Sequence, residues 1–176
     1  IVEDFINAEL VMALYPQLLA SGADVRPVRQ MDKNVGNHAS GHPWWEMGSS
    51  EYVRNLGAPP SVWGSSFSGS NRNIVAPPEY ANWVNADMLV SVHNNGGGGC
   101  GTETWYDTSN GYQEESHRLA QLIQTKLVER LRTQWDANWC DRGVKGSAGG
   151  YGENRRFHGP AVIVELAFMD NQANNS

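Results

Sequence analysis

The chain has 176 residues, with 13 Lys plus Arg against 19 Asp plus Glu for a net charge of −6. That balance offers no general attraction to a phosphate backbone or an anionic lipid surface, so nucleic acid is a poor partner. Hydrophobic residues make up 40%, with seven Trp, which is ordinary for a folded protein, and no apolar run approaches the ~20 residues needed to span a bilayer, so no membrane insertion is expected.

The length suits a single domain, expected to run over 1–176. The chain opens without Met and without a signal peptide, as a processed protein or an excerpt would. From Glu3 to Ser21, Ile6, Leu10, Leu14 and Leu18 recur every fourth residue, which predicts a helix with one apolar face stopping at Gly22. Pro16 lies inside it and predicts a kink or an early end. Val25 to Val28 reads as a short strand. Residues 33–78 are rich in Gly, Ser, Asn, Pro and Trp without a sustained period, the pattern of a functional insertion or mobile loop.

Order returns with "PPEYANWVNAD", read as a short helix after two prolines, and a strand from Met88 to Val92. Thr102 to Tyr106 alternates as a strand does. Glu114 to Arg132 is an amphipathic helix with Leu119, Ile123, Leu127 and Leu131 on one stripe and His117 facing out. The segment "DRGVKGSAGGYGENRRFHG" reads as a glycine-rich connection to a last strand, Ala161 to Val164, and the tail "QANNS" has little to hold it. Helices alternating with short apolar strands predict an α/β fold, a mainly parallel twisted sheet flanked by helices. Cys100 and Cys140 lack metal-binding spacing and leave two readings, one disulfide or two unpaired buried thiols.

Two strands run into an ionisable group, "MLVSV" into His93 and "PAVIV" into Glu165. In open α/β sheets the carboxyl ends of strands border the ligand crevice, so both side chains are candidates for one site. A carboxylate ending an apolar strand needs a compensating partner, and a plain salt bridge to Arg142, Arg155 or Arg156 would serve as well as a catalytic role. Glu3 adds a third group at the start of the first helix, where a carboxylate also simply suits the helix dipole. Together an imidazole, a carboxylate ligand and a second, non-ligating carboxylate form the inventory of a hydrolytic zinc centre. The glycines after His93 would let a bulky substrate approach, or merely connect two strands.

The segments "IVEDFINAEL", "VRPVRQMD", "YANWVNADMLVSVHNN", "GTETWY", "DRGVK" and "PAVIVELAFMDN" resemble, in this order, the motifs of the zinc-dependent N-acetylmuramoyl-L-alanine amidases of the Amidase_3 type, enzymes of bacterial and phage cell-wall lysis. The resemblance covers nearly the whole chain except residues 33–78. It implies an amidase/phosphorylase-like three-layer α/β/α fold, zinc held by Glu3 and His93, and Glu165 as general base and acid. The family's first ligand is a histidine in a Gly-His motif on a strand preceding the first helix, and this sequence starts two residues before Glu3. A third ligand is therefore expected before Ile1, with His38 and His42 as weak substitutes.

The implied reaction is hydrolysis of the amide between N-acetylmuramic acid and L-alanine in peptidoglycan. The implied partner is the glycan-peptide substrate, with a separate wall-binding module to hold an acidic protein on an acidic polymer. The implied location is extracellular or periplasmic, at the cell wall, and a phage-encoded lysin also fits. Trp44, Trp45 and Trp63 would stack on sugars or pack as a satellite cluster, and Arg142 would brace the sheet or hold substrate. Two rival functions remain: a catalytically inactive wall-binding or regulatory relative, and a zinc peptidase or deacetylase on a related scaffold.

Overall fold

The computed structural model describes residues 2–171, apart from the side chains of Val2 and Asp4, so the expected polar tail from Gln172 to Ser176 lies outside the described residues. The chain divides into two compact units, Ile1–Ala86 and Asp87–Ser176.

The first unit is helical. Its first helix, α1, spans Val2–Ala20 and runs through Pro16, so the early end expected there does not occur. It closes instead at Ser21 and Gly22, whose amides bond back to Gln17, Leu18 and Leu19. Of the expected apolar stripe, Ile6 and Leu10 are half-buried while Leu14 and Leu18 are exposed. Val25 to Val28 forms no strand, and Pro27 in its middle supplies no ladder donor. Val28 packs instead against a small core of Val53, Ala58, Val62 and Tyr80.

Residues 33–78 are more ordered than their composition suggests. They hold a 3₁₀ turn at Trp44–Glu46, helix α2 at Ser49–Asn55 and the first turns of α3, which spans Asn71–Trp83 with Pro77 and Pro78 inside it. A proline within a helix strands the carbonyl four residues earlier. For Pro77 that carbonyl belongs to Asn73, and the Ser49 hydroxyl donates to it at 2.8 Å. The Asn73 side chain in turn accepts from the Ser50 amide at 3.1 Å, capping α2 where Gly48 offers no side chain. A Cβ on Gly48 would lie 2.5 Å from that Asn73 oxygen, so the glycine makes room for the cap.

The second unit is built on a four-stranded sheet. Its elements are β1 (Leu89–Asn95), β2 (Thr102–Asp107), α4 (Gln113–Gln134), β3 (Asp141–Ser147), α5 (Gly152–Arg156) and β4 (Ala161–Phe168). The order is β1-β4-β2-β3, with β1/β4 and β2/β3 parallel and β2/β4 antiparallel, so the α/β sheet is mixed, with parallel pairings in the majority. The segment expected to be a mere connection contributes both β3 and α5.

Helix α4 covers one face. Ala120 meets Val162 and Val164, with Leu119, Ile123 and Leu127 packed around them. The deepest stripe of α4 is Ser116, Ala120, Gln124 and Val128 rather than the leucines. Its polar members are all bonded: the Ser116 hydroxyl accepts the Ala161 amide at 3.1 Å, and Gln124 accepts from the Thr104 hydroxyl at 2.8 Å. Gln124 also donates to the Thr102 carbonyl at 2.9 Å and to Asp141 at 2.6 Å, joining α4 to β2 and to the start of β3.

Candidate functional site

Strand pairing assembles the site. The parallel register sets His93 on β1 beside Glu165 on β4, and the antiparallel register sets Glu103 on β2 at the other side of Glu165. In-register neighbours point to the same face. Because Val164 and Thr104 point at α4, the row His93, Glu165, Glu103 faces away from that helix. Both carboxylates are buried, Glu103 at 4% exposure and Glu165 at 8%.

Glu103 is held by four donors. Its Oε1 accepts from Asn95 Nδ2 at 3.0 Å and Trp105 Nε1 at 2.9 Å, and its Oε2 from Arg142 Nε at 2.5 Å and Lys145 Nζ at 2.6 Å. Burial by itself would raise its pKa, but the bonds from Lys145, Arg142, Trp105 and Asn95 outweigh it and lower the value to about 2. Glu103 therefore stays ionised and organises cations rather than moving protons. Arg142, one of three arginines expected beside Glu165, braces β3 to β2 through Glu103, and Arg155 donates to the Gly149 carbonyl at 2.8 Å.

Helix α5 brings a further carboxylate. Glu153 is buried, and its Oε2 lies 3.3 Å from His93 Nε2. Asn154 anchors the helix by donating to the Trp105 carbonyl at 3.1 Å and accepting from Asn110 at its own carbonyl. Tyr151, at the helix entrance, packs its ring 5.3 Å from that of Trp105. Burial pushes its hydroxyl pKa up, and the negative charges of Glu165 and Glu103 push it further. Sequence reasoning missed Glu103, Glu153 and Tyr151.

The glycine tract after His93 is tethered. The Asp170 carboxylate accepts the amides of Gly97 at 2.7 Å and Gly98 at 3.0 Å, and Asn171 donates to the Gly99 carbonyl at 2.7 Å. These amide bonds, Gly98's first, hold the Asp170 pKa below the usual carboxylate range. The "MDN" end of the closing motif thus fastens the loop that leaves β1.

Of the other sequence candidates, Glu3, His38 and His42 belong to the first unit and His117 to α4. Glu3, in the first unit, accepts from Asn7 at 3.3 Å. His38 is engaged with Ser40 at 2.9 Å and Glu51 at 3.3 Å and packs edge-on against Trp44, while exposed His42 approaches Glu46 at 3.6 Å. His117 does not face out freely: it stacks on Tyr106 with ring centres 4.9 Å apart. Trp63 packs on the small core of the first unit with Arg54 and Arg72 over its ring, and Trp45 meets Phe5 and Lys33, the satellite-cluster alternative. Among the described residues no group of three His, Cys, Asp or Glu side chains stands together to hold a metal. Within the second unit His93 is a donor of the kind zinc takes, with Glu153 against its Nε2.

The pattern of the Amidase_3 family, N-acetylmuramoyl-L-alanine amidase, matches residues 1–176. The chain belongs to the Amidase_3 family. An uncharacterized cell wall amidase of Bacillus anthracis is 39% identical over 102 residues, covering 54% of this Amidase_3 chain and 18% of that protein. The uncharacterized protein YqiI of Bacillus subtilis is 38% identical over 91 residues, covering 50% of this chain and 39% of that one. The matches thus span well under half of these relatives' own lengths. Among solved structures, the CwlD amidase of Clostridioides difficile, in complex with the GerS lipoprotein, aligns with a TM-score of 0.64 at 21% identity over 97% of this chain and 73% of that one. The amidase Ami1 of Mycobacterium abscessus aligns with a TM-score of 0.59 at 21% identity over 98% and 65%. These likenesses give the Amidase_3 chain the α/β fold of those amidases.

Proposed function

We propose that this chain hydrolyses the amide between N-acetylmuramic acid and L-alanine in peptidoglycan, acting at the cell wall outside the membrane. The observation that carries the reading is the register of three adjacent strands, which lines up His93, Glu165 and Glu103 on one face in a chain of the Amidase_3 family. Glu165 is the group to take a proton from the attacking water and return it to the leaving amine. Glu103, fixed as an anion by Arg142 and Lys145, keeps those cations beside it and leaves the proton transfer to Glu165.

The resemblance of motifs supports zinc as cofactor, with Glu3 and His93 among its ligands and His38 or His42 as weak substitutes for the third. When bound, zinc lowers the pKa of its water toward ~7 and polarises the scissile carbonyl. Within the second unit, Glu153 steadies the His93 ring, as carboxylates do for ligating histidines. The rival is a catalytically inactive wall-binding relative, which would usually lack one of Glu3, His93 and Glu165, and this chain carries all three. Digestion of isolated peptidoglycan with zinc-supplemented protein tests both. Stem peptides with a free L-alanine amino terminus are the expected product. Binding to peptidoglycan without that product establishes the rival, and freed acetate or internal amino acids point to a deacetylase or peptidase.

A further inference from the structure

The two cysteines lie forty positions apart in sequence and meet at the surface. Cys100, ending the glycine tract, and Cys140, just before β3, have their Sγ atoms 2.6 Å apart, and both are exposed rather than buried. The backbone is shaped for this meeting. Gly101 has φ +92°, and a Cβ there would lie 2.1 Å from the Cys140 carbonyl oxygen and 2.4 Å from its Cβ, so only a glycine lets the two segments close. The Thr102 amide then donates to the Cys140 carbonyl at 3.1 Å, and the parallel ladder of β2 and β3 begins beside it with Thr102 against Asp141.

We infer that Cys100 and Cys140 form a reversible, solvent-accessible disulfide that fastens the glycine tract between His93 and Glu103 to the start of β3. The oxidant is a low-molecular-weight or protein disulfide. One cysteine, as its thiolate, attacks that disulfide and releases one thiolate from it; the other, deprotonated in turn, attacks the mixed disulfide and releases the second. The chain loses two protons and two electrons, and the partner disulfide is reduced to two thiols. The hydrogen bond with Cys100 is the main cause that raises the Cys140 thiol pKa, so exchange accelerates as the solution becomes more alkaline.

Fixing Cys100 has a local consequence. The same tract is already tied at Gly97, Gly98 and Gly99 by Asp170 and Asn171. Arg142, two residues beyond Cys140, grips Glu103, three residues beyond Cys100. The disulfide therefore closes the remaining free end of the tract and holds the Arg142–Glu103 pair from outside. The inference is independent of the reaction proposed above, because neither sulfur belongs to the proposed catalytic groups.

The test treats the protein with oxidised glutathione, removes the reagent, and compares it with the dithiothreitol-reduced form. The expected result is an intact mass two hydrogens lighter, no maleimide uptake, and a non-reduced digest containing a peptide that links Cys100 to Cys140. Cys100→Ser and Cys140→Ser should each retain one reactive thiol that takes one glutathione. Amide hydrogen exchange at Gly96 to Gly99 should slow several-fold in the oxidised form. Two glutathione or maleimide adducts on the wild type with no linked peptide overturns the disulfide, and unchanged exchange in a linked protein overturns its effect on the tract. A protein that fails to cleave peptidoglycan yet passes these measurements leaves this inference standing while the amidase reading falls.

Discussion

A buried carboxylate is costly unless donors surround it, and Glu103 meets Asn95, Trp105, Arg142 and Lys145. Its pKa falls from 4.5 to about 2, so its contribution to stability is present in full above about pH 4.5 and fades as the pH drops toward 2. Glu103→Gln should lower stability near neutrality by roughly 3 kcal/mol, a gap that narrows through that acid window. Urea midpoints measured from pH 7 down to pH 2 check it, and a gap constant with pH refutes the assignment. Glu165→Ala should reduce peptidoglycan turnover by about 10²- to 10⁴-fold with bound zinc unchanged, whereas His93→Ala should lower the zinc content itself. Kinetics and metal analysis of the same preparations separate the two roles. Both residues stand out in the sequence because each follows a run of apolar residues, although β1 and β4 continue through them and do not end there. Glu103 and Glu153 do not, because what marks them is strand register and a short helix, and neither leaves a local periodic signal.

At the scale of elements, polar side chains do much of the joining. Gln124 links α4 to β2 and β3 from a buried position, and replacing it with Leu leaves the buried Thr104 hydroxyl and Thr102 carbonyl without this partner. Gln124→Leu should cost about 3 kcal/mol, measured by urea unfolding. Ser49→Ala, which strips only a half-exposed bond from the Asn73 carbonyl, should cost about 1 kcal/mol or less, since water can substitute. The long helix α4 and the apolar strands β1 and β4 were readable from periodicity and composition. Strand β3 was hidden because "DRGVKGS" runs along the sheet edge, half-exposed, with glycines and charges where a core strand has branched apolar residues. The start of α3 was hidden by Pro77 and Pro78, since the hydroxyl that offsets the first of them comes from Ser49, twenty-four residues upstream of the Asn73 carbonyl it bonds.

For the whole molecule, the net charge of −6 opposes approach to an acidic polymer. Raising ionic strength from about 0.01 to 0.15 M, which shortens the screening length from about 30 to 8 Å, should lower KM on peptidoglycan while kcat changes little. A rise in KM over that range would mean a local cationic surface governs the encounter. The family was legible because its motifs keep their order from Glu3 to Asn171, and the family match over residues 1–176 agrees.

The order β1-β4-β2-β3 also constrains how the second unit comes into being. The strand made last on the ribosome is inserted between two made earlier, and until Ala161 to Phe168 emerges, β1 has no neighbour on which to form a ladder. A nascent or prematurely terminated chain lacking that segment holds at most the β2/β3 pair. His93 and Glu103 therefore share a continuous sheet only after translation has passed Glu165, so a fragment stopping short of it is not a weakened version of the folded unit.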